Sequence, residues 1–452
     1  MISEAQIKII NEIASRYREA ILSTADYIWK NPETGYRERK TSAHMLERFR
    51  GIGYKPVEMK NIPGFYADLE TGRSGPTLAI LGELDSVICR GHPDADGETG
   101  AVHACGHHTQ SAYLFGAAAI MKDKKILSEL CGKIRFVSVP AEELIELGYR
   151  AGLRERGVIK YLGGKVEFMH RGVFDGVDAV VMAHSGGSGE KRLRVYKGNN
   201  GCMAKNITYI GKASHAGGAP ERGVNALYAA ALGIQAINSI RETFTEENIT
   251  RVHPIITEGG AAVNVIPEIV KLESFVRGAT PDAIVNENKK VNRALAGAAV
   301  SLGARVRVSD IPGYMPLHNN AGLNELTHKI GVSLFGEENV EASEIWNGGS
   351  TDMGDLCCVL PVAHPSVGGG EGTGHGEDYR IIDSETACVG SARLVAGLAC
   401  ALLSRGGAEL LKIKENYKPL FPDFKSYFDF VDKIFADREL VKYDGERTEV
   451  AY

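Results

Sequence analysis

The chain has 452 residues, with 52 Lys and Arg against 57 Asp and Glu and a formal net charge of −5. That length provides for two or more domains with a large core, and the near-neutral balance lacks the basic footprint that nucleic-acid binding needs. Eight cysteines without a CxxC pair exclude a disulfide framework and a zinc finger. The 53 glycines, against a usual share of about 7%, point to many tight loops where backbone approaches something closely.

Residues 3–30 read as an amphipathic helix rather than a basic start, apolar run and cleavage site. A second helix follows over 40–52. Apolar runs at Thr77–Leu81, Ile134–Val139 and Ala179–Ala183, with a buried helix from Ser111 between them, suit strands covered on both faces. From about Leu193 the texture changes to β, α, β, β, α, β: strand 202–210, a helix over 224–244, strands 251–257 and 269–277, a helix after Thr280, and a strand at 305–308. Sheet-and-helix texture resumes with helices over 321–336 and 384–404 around a Gly-rich stretch, 347–376. The longest apolar stretch, Leu394–Leu403, falls short of the roughly 20 residues a membrane helix needs. The expectation is a soluble, cytoplasmic protein with no membrane or nucleic-acid partner. Its fold class is α/β, with a helix-flanked mixed-sheet domain made of 1–192 and 315–452 and an inserted two-layer domain of 193–314. The last thirty residues read as a packed or partner-facing tail.

Four local signals carry chemistry. In HACGHH, His103–His108, Cys105 and His107 leave the same side of an extended loop and can share a metal, although His103 and His108 equally suit a capping loop. In PAEE, the adjacent Glu142 and Glu143 after a strand point in opposite directions, so one can ligate a cation while its neighbour faces water; two solvated glutamates starting a helix are the bland alternative. His184 lies just past a strand, where open α/β sheets place their sites. His375 lies in GGGEGTGHGEDY. One thiolate, three histidines and a carboxylate make a five-ligand set for a pair of divalent ions, with glycines such as Gly106, Gly186, Gly187 and Gly374 flanking them. Neither a nucleobase-deaminase signature nor a phosphate loop is present.

The motifs HACGHH, PAEE, MAHSGG, GKASHAGGAPERGVNAL, GGAAVNVIPE and STDMGD, in this order, resemble the metallopeptidase family that includes aminoacylases, carboxypeptidase G and aminobenzoyl-glutamate hydrolases. They are most like its amidohydrolase branch, whose hallmark is a Cys-Gly-His ligand motif. The resemblance implies a zinc-peptidase-like catalytic domain with an inserted ferredoxin-like lid that mediates homodimerisation or higher assembly. It implies one or two divalent ions, Mn or Zn with Co as a further option, held by Cys105, His107, Glu143, His184 and His375. Glu142 becomes the general base on the bridging water, and His215 polarises the substrate carbonyl. Asn264 and Arg277 become substrate-binding residues, and Asp85 orients a ligand imidazole from behind. The implied activity is hydrolysis of the C–N bond of a small N-acyl or N-aroyl amino acid or dipeptide-like amide.

Two departures stand out: His108 where the branch has Asp, with Thr109 and Gln110 following, and a longer, more acidic loop from Cys89 to Thr99 that includes His92. An altered pocket there leaves hydrolytic deamination of an aromatic amine as an alternative on the same metals. A non-catalytic ligand-binding homologue is the remaining alternative.

Overall fold

The computed structural model describes the chain except residues 1, 187, 188, 190 and 446, so Gly187 lies outside the described residues. Its contacts divide it into two units. The first comprises Met1–Gly198, His318–Trp346 and Asp355–Leu420; the second comprises Asn199–Leu317, Asn347–Gly354 and Phe421–Tyr452.

The first unit is built on a mixed sheet whose central strand, Thr77–Glu83, runs parallel to Lys133–Val139 on one side and Ala179–Val181 on the other. Val362–Ala363 continues the parallel part, and Phe65–Glu70 closes the other side antiparallel. Every residue of the central strand is buried, which explains its unbroken apolar character before Glu83. Helix His107–Met121 is buried along its whole length and packs beside helices Glu4–Trp29 and Ser391–Leu403. The segment Glu385–Leu403 is long and apolar enough to cross a membrane, yet 94% of its apolar window is buried, so its composition reflects this core. Its first turn, Glu385–Gly390, is π-helical.

The second unit pairs Gly201–Ile210 antiparallel with both Ile269–Gly278 and Arg305–Tyr314, with helices Ala226–Ser239 and Pro281–Ser301 packed together and against the sheet. Alternating burial along Ile269–Gly278 shows a sheet with one covered face. Division at 192/193 and 314/315 differs from these contacts at Asn347–Gly354 and in the tail, both of which belong to the second unit. Strand Ala436–Glu439 pairs with Arg305–Tyr314, and Leu440 and Val441 join the second unit's core, so the last thirty residues extend the inserted unit rather than the sheet domain.

Candidate metal centre

The carboxyl ends of the parallel strands supply the site. Period-two alternation past Glu83 brings Asp85 to the same end, and both side chains are fully buried. His107 Nδ1 lies 2.9 Å from the Asp85 carbonyl and 3.2 Å from Asp85 Oδ1. These acceptors assign the proton to Nδ1 and leave Nε2 for a cation. Asp85 Oδ2 accepts the Glu143 N–H at 2.8 Å, so one carboxylate braces both the imidazole and the glutamate loop.

Cys105 and His107 converge, but not through an extended loop. Gly106 adopts φ 91 and His107 already begins the helix, so a left-handed turn aims both side chains inward. A Cβ at 106 would collide with the hydroxyls of Ser185 and Tyr379, which adds a steric reason for glycine.

Three groups of donors have ligand atoms within 4.8 Å of one another: Cys105, His107 and His184; Cys105, Glu143 and His375; and Glu83, His107 and Glu142. Cys105 belongs to two of them, as a bridging thiolate would. Cys105 Sγ is 3.5 Å from His184 Nε2, and His375 Nε2 is 3.0 Å from Glu143 Oε1. His107 Nε2 is 3.1 Å from Glu83 Oε2 and 4.0 Å from Glu142 Oε2. Yet His107 Nε2 and Glu143 Oε1 are both buried without an aligned hydrogen-bond partner. Polar atoms that touch without aligning donor to acceptor are aimed at a common third point. Separations of about 3.0–3.4 Å are the edges of a shell with bonds of about 2.1 Å. The residues present therefore fit divalent cations.

The electrostatics agree. Burial and Glu143 push the Cys105 thiol up, but His107 and His184 outweigh them and bring it down to about 6. Burial opposes charge on His107, whereas Cys105 and Glu83 raise its pKa. Cys105 and Glu143 raise His375 to about 11. Such a concentration of anions around imidazoles is what a cation would satisfy.

Glu83 and Lys165 were not singled out from sequence. Glu83 sits in GELDS, two residues before Asp85, and that spacing at a strand end was the available signal. Its Oε1 accepts from the fully buried Lys165 Nζ, and its Oε2 accepts from Gln110 Nε2 at 2.6 Å. Lys165 carries no local motif. His364 also went unmarked: its Nδ1 is 2.7 Å from the Tyr196 hydroxyl and its ring 5.9 Å from that of His184.

His108 is buried against Trp29, 4.9 Å between ring centroids, and near His103; burial and then His107 push its pKa down to about 3. It is not in any of the three donor groups. His92 caps its acidic loop through Nε2, 2.9 Å from the Tyr379 carbonyl.

In the second unit, His215 Nδ1 accepts the N–H groups of Gly217 and Gly218 at 3.2 and 2.8 Å, so Nε2 carries the proton and can donate. The backbone carbonyl of Asn264 accepts from Ala216 N at 3.0 Å, and Arg277 Nη1 donates to Ser350 Oγ at 2.9 Å.

Comparison with known proteins agrees with the motifs. Residues 197–300 match the model of the peptidase dimerisation domain of the M20 family. The human Xaa-Arg dipeptidase is 29% identical over 426 residues, 90% of each chain. The indole-3-acetyl-aspartic acid hydrolase of Enterobacter agglomerans is 31% identical over 302 residues, 63% of this chain and 64% of that one. The chain is thus similar to hydrolases of the M20 family over most of its length. A dinuclear metal-binding M20 peptidase from Bacillus subtilis shares its fold, with a TM-score of 0.62 and 20% identity over 86% of this chain and 99% of that one.

Proposed function

We propose that this chain is an M20-family hydrolase that cleaves the C–N amide bond of a small N-acyl or N-aroyl amino acid, or a dipeptide-like amide, at a centre for two divalent ions, Mn or Zn. The observation that carries the reading is the convergence of three donor groups, linked to one another through Cys105 and His107, that include both Glu142 and Glu143. The mixed thiolate, imidazole and carboxylate set suits either metal. Bound ions supply Lewis acidity for the carbonyl and lower the pKa of a water. Cys105, His107 and His184 would hold one ion, and Cys105, Glu143 and His375 the other.

Glu142 takes the proton of the attacking water and returns it to the leaving amine. His215, with its proton fixed on Nε2, donates to the developing oxyanion, while Asn264 and Arg277 bind the substrate, the guanidinium facing a carboxylate. Asp85 orients His107, and buried His108 shapes the adjoining wall. The inserted unit joins two copies, a role supported by its match to a dimerisation domain and by exposed Tyr228, Ile255 and Val263. Eight cysteines in a chain of this length, none in a CxxC pair, suit a cytoplasmic location.

Glu142→Gln tests the reading. The variant should keep its metal while kcat on a panel of N-acyl amino acids and dipeptides falls roughly 10²- to 10⁴-fold. Unchanged kcat would remove Glu142 as base. Ammonia release from arylamines, with no cleavage across the panel, would replace amide hydrolysis by deamination.

A further inference from the structure

The Pro140–Glu143 loop follows strand Lys133–Val139 and must send adjacent glutamates to different donor groups, Glu142 to Glu83 and His107 and Glu143 to Cys105 and His375. It does so through Ala141, a fully buried residue at φ 57, where a side chain is disfavoured. Two further residues with side chains adopt positive φ nearby: Tyr36 at 62, next to the Gly35 that abuts Ala141, and Glu146 at 51, just past Glu143 in the chain. Strain of this kind persists only where the surroundings over-determine it.

The surroundings are two buried polar side chains, Glu38 and Arg150. Glu38 accepts the Ala141 N–H at 2.7 Å. Arg150, 1% exposed, donates to the carbonyls of Ala141 at 3.3 Å and Leu162 at 2.8 Å, and also to that of Glu143. One guanidinium thus grips the carbonyls on both sides of Glu142, and Gly35 leaves the space it fills. The helix that carries Arg150, Leu147–Glu155, is held at its N-cap residue Glu146, to which Thr34 and Arg37 donate at 2.6 and 3.2 Å, and the Tyr36 hydroxyl between them donates to the Tyr161 carbonyl beyond the helix at 3.1 Å.

We propose that Arg150 and Glu38 are positioning residues for the hydrolysis, clamping the backbone on either side of Glu142 so that its carboxylate is held at the reacting centre. This rests on Glu142 being the base. A base displaced by about 1 Å costs up to roughly 100-fold in rate. Arg150→Lys and Arg150→Ala should therefore bind wild-type amounts of Mn or Zn, measured by elemental analysis, with unchanged KM and with kcat lowered roughly 10- to 100-fold.

Added guanidinium should restore rate to Arg150→Ala but not to Arg150→Lys, a response that a general loss of stability would not give. Glu38→Gln, which keeps an acceptor for Ala141, should recover most of the kcat lost in Glu38→Leu. A kcat within roughly twofold of wild type in Arg150→Lys, or a loss confined to KM or metal content, overturns the proposal. Should Arg150→Ala not fold, Arg150→Lys decides alone. Glu142→Gln measured alongside separates the two claims: if it is inactive while Arg150→Lys is normal, only the clamp fails, and if it is fully active the base assignment fails.

Discussion

Lys165→Met in the metal-free protein tests the buried charge pair directly. Lys165 and Glu83 are 0% and 1% exposed at their side chains and meet Nζ to Oε1. Burial alone would raise the Glu83 pKa, but Lys165 first and then His107 and His184 hold it below the usual carboxylate range. Methionine keeps the volume and removes the cation, which leaves a buried carboxylate with Gln110 and His107. Breaking a buried pair in this way costs about 3–5 kcal/mol. For a unit of this size that lowers its melting temperature by roughly 6–10 °C at pH 7.

The pH dependence has a definite sign. In the wild type, a depressed folded-state pKa gives stability that is present above the ordinary carboxyl value near 4.5 and is lost as pH falls through the folded value. In the variant, burial dominates and protonation of Glu83 relieves the cost, so the deficit is largest at pH 7 and shrinks toward about pH 5. Glu83→Gln combined with Lys165→Met should recover most of the loss. Differential scanning calorimetry of chelator-treated protein reads both effects. A deficit under about 2 °C at pH 7, or one that stays constant with pH, would refute the reasoning.

Other consequences are equally direct. Glu83→Gln keeps one acceptor for Lys165 or Gln110 but removes the carboxylate facing His107; metal affinity should fall about 10- to 100-fold by calorimetric titration, and an unchanged affinity would confine Glu83 to the Lys165 pair. In metal-free protein, iodoacetamide labelling of Cys105 should titrate with a midpoint near 6 rather than 9, rising with pH, and added Zn should block it. Lys205, buried among Asn288, Asn292 and Asp310 in the second unit, should destabilise that unit by about 3–5 kcal/mol when changed to Met, followed by urea denaturation, with metal binding intact.

Legibility followed locality. The strands at 77–83, 133–139 and 179–181 announce themselves as short apolar runs because both sheet faces are covered. Cys105, His107, Glu142, Glu143, His184 and His375 stand in short motifs, so the residues that meet in three dimensions could be named one by one. What local pattern misses is the partner that arrives from elsewhere. Lys165 reaches Glu83 across 82 residues of chain, and Glu38 reaches Ala141 across 103. Neither contact leaves a periodicity or a motif at either end. The assignment of the tail to the sheet domain fails for the same reason, since nothing in the four residues of strand Ala436–Glu439 says which distant sheet edge it will pair with.

The convergence of Cys105 and His107 had a different cause from the one the spacing suggested. An extended dipeptide step and a left-handed glycine both bring side chains separated by one residue to one side, and only the backbone angle distinguishes them. The distinction has a consequence. An extended loop at 106 would tolerate alanine, whereas φ 91 and the crowding by Ser185 and Tyr379 do not. Gly106→Ala should therefore cost metal affinity through misplacement of both ligands, and a variant that binds Mn or Zn like the wild type would show that the turn does not set the site.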